Sequence, residues 1–133
     1  IKIENYKETN GVISNFARET KAEEFTKHIK VTGDLKVKVD IENFVGSGTK
    51  VQIYKGDECL QTFICKLYGD VNGDGKISAV DYMYIMNKIM DVKEITGDIE
   101  KDVADINSDK NISAVDYMYI MNDIMDVKKL DIR

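Results

Sequence analysis

Proline and tryptophan are absent from this 133-residue chain, and histidine occurs once. Without proline, and with no stretch rich in glycine or serine, no extended linker can be drawn between segments. Without tryptophan, and with few aromatics on any strand face, a sugar-stacking surface has little to be built from. The lone His28 falls in a helical stretch with no serine or cysteine nucleophile motif near it, so no proton-shuttling dyad or triad can be assembled. The two cysteines, Cys59 and Cys65, share one apolar run. If that run is a strand, they stand roughly 20 Å apart at about 3.3 Å per residue, too far for a disulfide. Both are expected as free thiols packed like small hydrophobes, and the absence of a Cys/His cluster argues against zinc. No apolar run approaches the roughly 20 residues that span a bilayer, so no membrane is expected. The chain opens on Ile1 without a signal segment and reads as an excised or processed fragment of something longer.

Charge is present but unevenly spread. Residues 1–68 carry 11 Lys/Arg against 10 Asp/Glu; residues 69–133 carry 8 against 14. The acidic second half speaks against nucleic acid as a partner and suits carboxylates offset by bound cations.

Those carboxylates recur with a period. Residues 70–92, DVNGDGKISAVDYMYIMNKIMDV, return 35 positions later as DINSDKNISAVDYMYIMNDIMDV, with ISAVDYMYIMN unchanged. A single repetition is too short for a solenoid; it predicts two supersecondary units paired about one core. Each copy opens with a twelve-residue loop of EF type. In the first, Asp70, Asn72 and Asp74 occupy positions 1, 3 and 5, Lys76 offers its carbonyl at 7, Ser78 a hydroxyl or bridging water at 9, and Asp81 closes at 12. In the second, Asp105, Asn107, Asp109, Asn111, Ser113 and Asp116 take those places. Hard Ca²⁺ takes 6–8 oxygen ligands, and this spacing converges them on one point. Two Ca²⁺ ions are therefore expected. Gly75 permits the sharp turn at position 6, whereas Lys110 stands there in loop two, where a left-handed residue with a Cβ costs about 1 kcal/mol. Loop two should be the weaker site.

After each loop a helix is expected with two apolar faces. Tyr82, Ile85 and Ile89, with Tyr117, Ile120 and Ile124, form the shared core. Val80, Met83, Asn87 and Met90, with Val115, Met118, Asn122 and Met125, lie on another side, and Met86 and Met121 fall between. Since one stripe fills the core, the methionine-rich one is expected at the surface, where such side chains adapt to protein partners.

Upstream, Thr20 and Glu23 have the spacing of a capping box for a helix to about Ile29. Leu35–Ile41 alternates as a half-buried strand, Val51–Lys55 and Cys59–Leu67 read as a hairpin turning at Gly56-Asp57, and Ile1–Tyr6 and Val12–Phe16 are weaker strands. The fold class expected is a small α+β module, mainly β with one helix, over residues 1–68, followed by an all-α unit of two loop–helix repeats over residues 69–133. With the last strand running directly into Asp70, the two are expected to dock rigidly.

The Asp-x-Asn-x-Asp-Gly loop with Asp at position 12, followed by one apolar helix and repeated once, resembles the dockerin modules of clostridial cellulosomes and related surface enzyme complexes. Gly46–Val51 and the closing Tyr68-Gly69-Asp70 are similar to the small X-like modules that often precede dockerins. The resemblance implies a non-catalytic, secreted or cell-surface attachment unit. Its partner would be a cohesin, contacted through Ala79, Val80, Met83, Met86, Asn87 and Met90, and through Ala114, Val115, Met118, Met121, Asn122 and Met125. Ala-Val stands at loop positions 10 and 11 where Ser-Thr is common in such modules, which leaves the cohesin class open. The alternative is an EF-hand calcium sensor or buffer, but Phe63–Tyr68 alternates like a strand and supplies no entering helix before loop one.

Overall fold

The computed structural model describes residues 1–133. Its first half is a sheet folded over one short helix. Strands β1 (Lys2–Ile3), β2 (Lys7–Thr9) and β3 (Val12–Ser14) precede helix α1 (Ala22–Thr26); β4 (Ile29–Lys30), β5 (Leu35–Val39), β6 (Lys50–Lys55) and β7 (Glu58–Cys65) follow. The main sheet runs β2-β3-β7-β6-β5, with β3 parallel to β7 and the other pairs antiparallel, while β1 and β4 form a separate ribbon. Alternation decides which residues face inward: Val51 and Ile53 of β6 are fully buried, and Gln52 and Tyr54 between them are half-buried. Phe16 and Phe25 meet edge to face, centroids 5.3 Å apart, and join Ile13, Val45, Phe63 and Cys65 in this core. The hairpin turns at Gly56, whose φ of 60° lies in the left-handed region.

The second half contains three helices and no strand: α2 (Ala79–Ile89), α3 (Asp98–Ala104) and α4 (Ala114–Ile124). Ile85 and Ile120, twins in the repeat, are fully buried in one cluster with Val103 and Ile106. The twin rings of Tyr82 and Tyr117 meet edge to face at 5.3 Å across the pairing of α2 with α4. This second apolar cluster is distinct from the first: Leu67 belongs to one and Val71 to the other.

Several expectations need correction. Thr20 does not cap α1; its hydroxyl donates to the carbonyl of Ala17, and the N-cap is Lys21 without a side-chain bond. The helix then stops at Thr26, because Ile29 is drawn into β4 opposite Ile3. Ile89 and Ile124, the last residues of their helices, are 39% and 37% exposed and sit at the edge of the core. No disulfide joins the cysteines, and Cys65 is buried as expected, but Cys59 is exposed near the hairpin turn.

Contacts across the two halves are specific. Arg18 makes a two-pronged pair with Asp123 near the end of α4, and Lys66 reaches Asp102 of α3 at 2.6 Å. The segment 44–47 packs directly against loop one: a Cβ on Gly75 would lie 2.6 Å from the Cβ of Phe44, and one on Gly73 would lie 2.5 Å from the carbonyl oxygen of Ser47.

Candidate metal loops and partner face

Each loop ends where a helix begins, and the same residues do both jobs. Ser78 is the N-cap of α2: its hydroxyl accepts from the amide of Val80, and its own amide donates to Asp81 Oδ2 at 2.8 Å. Ser113 and Asp116 repeat this reciprocal cap on α4. A polar capping pair at the start of an apolar helix satisfies amides that would otherwise have no partner. The cap thus holds the closing carboxylate of each loop in place, with the serine hydroxyls engaged in capping.

The carboxylates converge as the spacing requires. Oxygens of Asp70, Asp74 and Asp81 all lie within 4.8 Å of one another, and so do those of Asp105, Asp109 and Asp116. No lysine or arginine pairs with any of these six. Asp70, Asp81 and Asp116 are nonetheless buried to 0% exposure. Buried like charges with no cationic side chain demand a counter-ion or a proton. Without an ion, burial pushes the Asp70 carboxyl up to about 7, helped by Asp81 and Asp74 and opposed by the amides of Ser47 and Gly75. Burial likewise lifts Asp81 to about 6 and raises Asp116. An all-oxygen set of this density fits Ca²⁺. Asn72 and Asn107 take part in the same clusters, their side-chain amides donating to Asp74 and Asp109. At position 7, Lys76 lays its ammonium 5.5 Å over the Phe44 ring, and the amide of Asn111 donates to Asp109 Oδ1.

The loops share a backbone but not a setting. Lys110 has φ 68°, close to the 78° of Gly75, so position 6 is left-handed in both copies. Ser108 at φ 57° likewise mirrors Gly73 at 79°. Loop one needs glycine twice over, for φ and for the close approach of residues 44–47. Loop two is exposed from Asn107 to Asn111, and only the φ requirement remains.

On the helices, the two copies present matching faces. Val80 and Val115 are 49% and 48% exposed, Met83 and Met118 46% and 52%, and Met90 and Met125 64% each. Ala79 and Ala114 are exposed as well, while Met86, Asn87, Met121 and Asn122 are half-buried. Tyr84 and Tyr119, and Val92 and Val127 beyond the helix ends, are also exposed in both copies, although the helical stripe did not single them out. Their identity in both copies was the available signal. The sheet half covers neither face.

Asp123, which stands where the first copy has Lys88, is buried, held by Arg18 and by the amide of Leu130 at 2.7 Å, with Lys129 3.7 Å away. Burial opposes its charge, but these partners outweigh it and keep the carboxyl below the usual range. Lys88 makes its pair with Glu94 at 3.5 Å.

Residues 68–125 match the family model of the dockerin type I domain. No curated protein and no solved structure matches the chain. Dockerin domains are non-catalytic modules that bind calcium and attach to cohesin domains. The repeated acidic loops, the helices they cap and the family match agree: residues 68–125 of this chain are a type I dockerin domain.

Proposed function

We propose that this chain attaches its parent protein to a cohesin-bearing assembly, in a cellulosome or on a cell surface, outside the cell. Residues 69–133 act as the plug and residues 1–68 as an X-like buttress. Two Ca²⁺ ions hold the plug in shape. The first is bound through Asp70, Asn72, Asp74, Lys76, Ser78 and Asp81, the second through Asp105, Asn107, Asp109, Asn111, Ser113 and Asp116. The observation that carries this reading is the pair of cation-free carboxylate clusters, each with its closing aspartate, Asp81 or Asp116, buried at the start of a helix that carries an exposed Val/Met face.

The twin faces support a partner that docks through either copy. Val80 and Met83 repeat as Val115 and Met118 at nearly equal exposure, so rotation by about 180° offers a cohesin the same chemistry. An EF-hand sensor is the second reading, favoured by α3, which precedes loop two as an entering helix would; no helix precedes loop one. The test is capture on a panel of cohesins with calcium and with chelator. Calcium-dependent capture is expected. Replacing Val80 and Met83, or Val115 and Met118, with Asp should reduce it modestly, because each buried side chain contributes roughly 1.5–3 kcal/mol and one copy survives. Replacing all four should abolish it. Failure of every cohesin to bind contradicts the attachment role; abolition by one pair alone contradicts binding through either copy.

A further inference from the structure

The first calcium loop touches more than its own repeat. Asp70 Oδ2 accepts from the amide of Gly75 at 2.9 Å and, at the same distance, from the amide of Ser47, which belongs to the sheet half. Oδ1 accepts from Gly73 and Asp74. The Ser47 amide is itself aimed: the Ser47 hydroxyl donates to the carbonyl of Leu67 and accepts from its amide, and Gly46 is tied to Thr49 Oγ1 at 3.0 Å. On the far side of the loop, the Glu19 amide donates to the carbonyl of Gly75 at 2.8 Å. Gly46 fits so closely that a Cβ there would lie 2.5 Å from Asp70 Oδ2, from the Gly73 carbonyl oxygen and from the Gly75 amide. Asp105, the equivalent of Asp70, has only its own loop's amides, from Asp109 and Lys110.

Building on the calcium reading, we propose that the first calcium site is shared between the two halves: the sheet half supplies an outer contact to its position-1 ligand, making it tighter than the second site, and calcium there in turn tightens the docking of the halves. An amide that already holds one oxygen of Asp70 fixes the rotation of that carboxylate before an ion arrives, and a preorganised ligand binds with less ordering cost. The linkage runs both ways: whatever factor docking adds to calcium affinity, calcium adds to docking. Loop two has no such support and takes its ion alone.

The two sites can be read separately in the full chain. The backbone amides of Gly75 and Lys110, at position 6 of each loop, serve as reporters in a nuclear magnetic resonance titration with buffered calcium. In the wild type, Gly75 should saturate at lower free calcium than Lys110. Gly46→Ala drives a methyl group into the shared contact. Arg18→Ala loosens the same interface by removing the bond to Asp123 and alters no atom of loop one. Each variant should shift the Gly75 midpoint to about tenfold higher calcium, within the usual span of coupling between linked sites, while the Lys110 midpoint stays within about twofold. An unmoved Gly75 midpoint overturns the proposal, with Arg18→Ala deciding the matter if Gly46→Ala does not fold. A wild type in which neither amide responds to calcium overturns the calcium reading and this inference with it.

Discussion

Loop one and loop two carry nearly the same ligands and lead into the same ISAVDYMYIMN sequence, yet one is packed under a neighbour and the other faces solvent. Their differences follow from that setting. Gly73 and Gly75 sit where a Cβ would strike the backbone or Cβ of residues 44–47; Ser108 and Lys110 hold the same left-handed backbone in the open. A repeat can therefore keep its metal geometry while its two copies answer to different neighbours. The second departure between the copies, Lys88 against Asp123, has the same origin. Asp123 is where Arg18 anchors the sheet half, whereas Lys88 is half-buried and pairs with Glu94 of its own half.

Exchanging residues between the loops is the sharpest way to break this comparison. Gly75→Lys should cost about 2–4 kcal/mol, combining left-handed strain with overpacking against Phe44 and Val45. Thermal denaturation of the calcium-saturated protein would read it as a fall in Tm. The reverse exchange, Lys110→Gly, should stabilise by about 1 kcal/mol, because only the φ penalty is relieved. Equal and opposite effects would show that packing against residues 44–47 adds nothing.

Arg18→Ala ranks between them in cost. It leaves Asp123 buried with Lys129 as its remaining cationic neighbour. Removing one partner of a buried pair costs about 3–5 kcal/mol, lowered here to about 2 kcal/mol because Arg18 is partly exposed and Lys129 stays within reach. Chemical denaturation would measure it. Asp123→Asn in the Arg18→Ala background should recover part of the loss, which a purely steric role for Arg18 would not allow.

A dependence on pH also separates the metal-free protein from the loaded one. Asp70, at about 7, and Asp81, at about 6, hold protons more tightly folded than unfolded, where carboxyls titrate near 4. Their contribution to the stability of the chelated protein is complete below about pH 4 and is lost as pH rises through 6 to 7. Whatever transition residues 69–133 retain in chelator should lie lower at pH 8 than at pH 5. With saturating calcium, which displaces those protons, raising the pH should not weaken the fold in that window.

Much of this was legible in the sequence because it was periodic. The 35-residue repeat gave both acidic loops and both helices, and the alternation of residues 35–41 and 51–65 gave the main antiparallel strands. Short pairings were illegible. β4 has two residues, and it claims Ile29 because Ile3 lies opposite, which no local pattern around Thr20–Glu23 reveals. Contacts between distant segments were also hidden: Arg18 with Asp123, and Ser47 with Asp70, lie 105 and 23 positions apart. Their residue types are common on surfaces, so nothing local marks them. Cys59 and Ile89 were misplaced for a related reason, since each belongs to an apolar run whose end emerges from the core.

The most direct test of the whole account is calorimetry of the full chain with calcium and with excess chelator. The second half has few buried apolar residues and two clusters of unpaired carboxylates, and short helices are marginal without tertiary support. In calcium, cooperative melting of both halves is expected. With chelator, the transition of residues 69–133 should be lost or strongly lowered while that of the sheet half persists. An identical melting profile in both conditions would contradict the calcium-dependent fold on which the account rests.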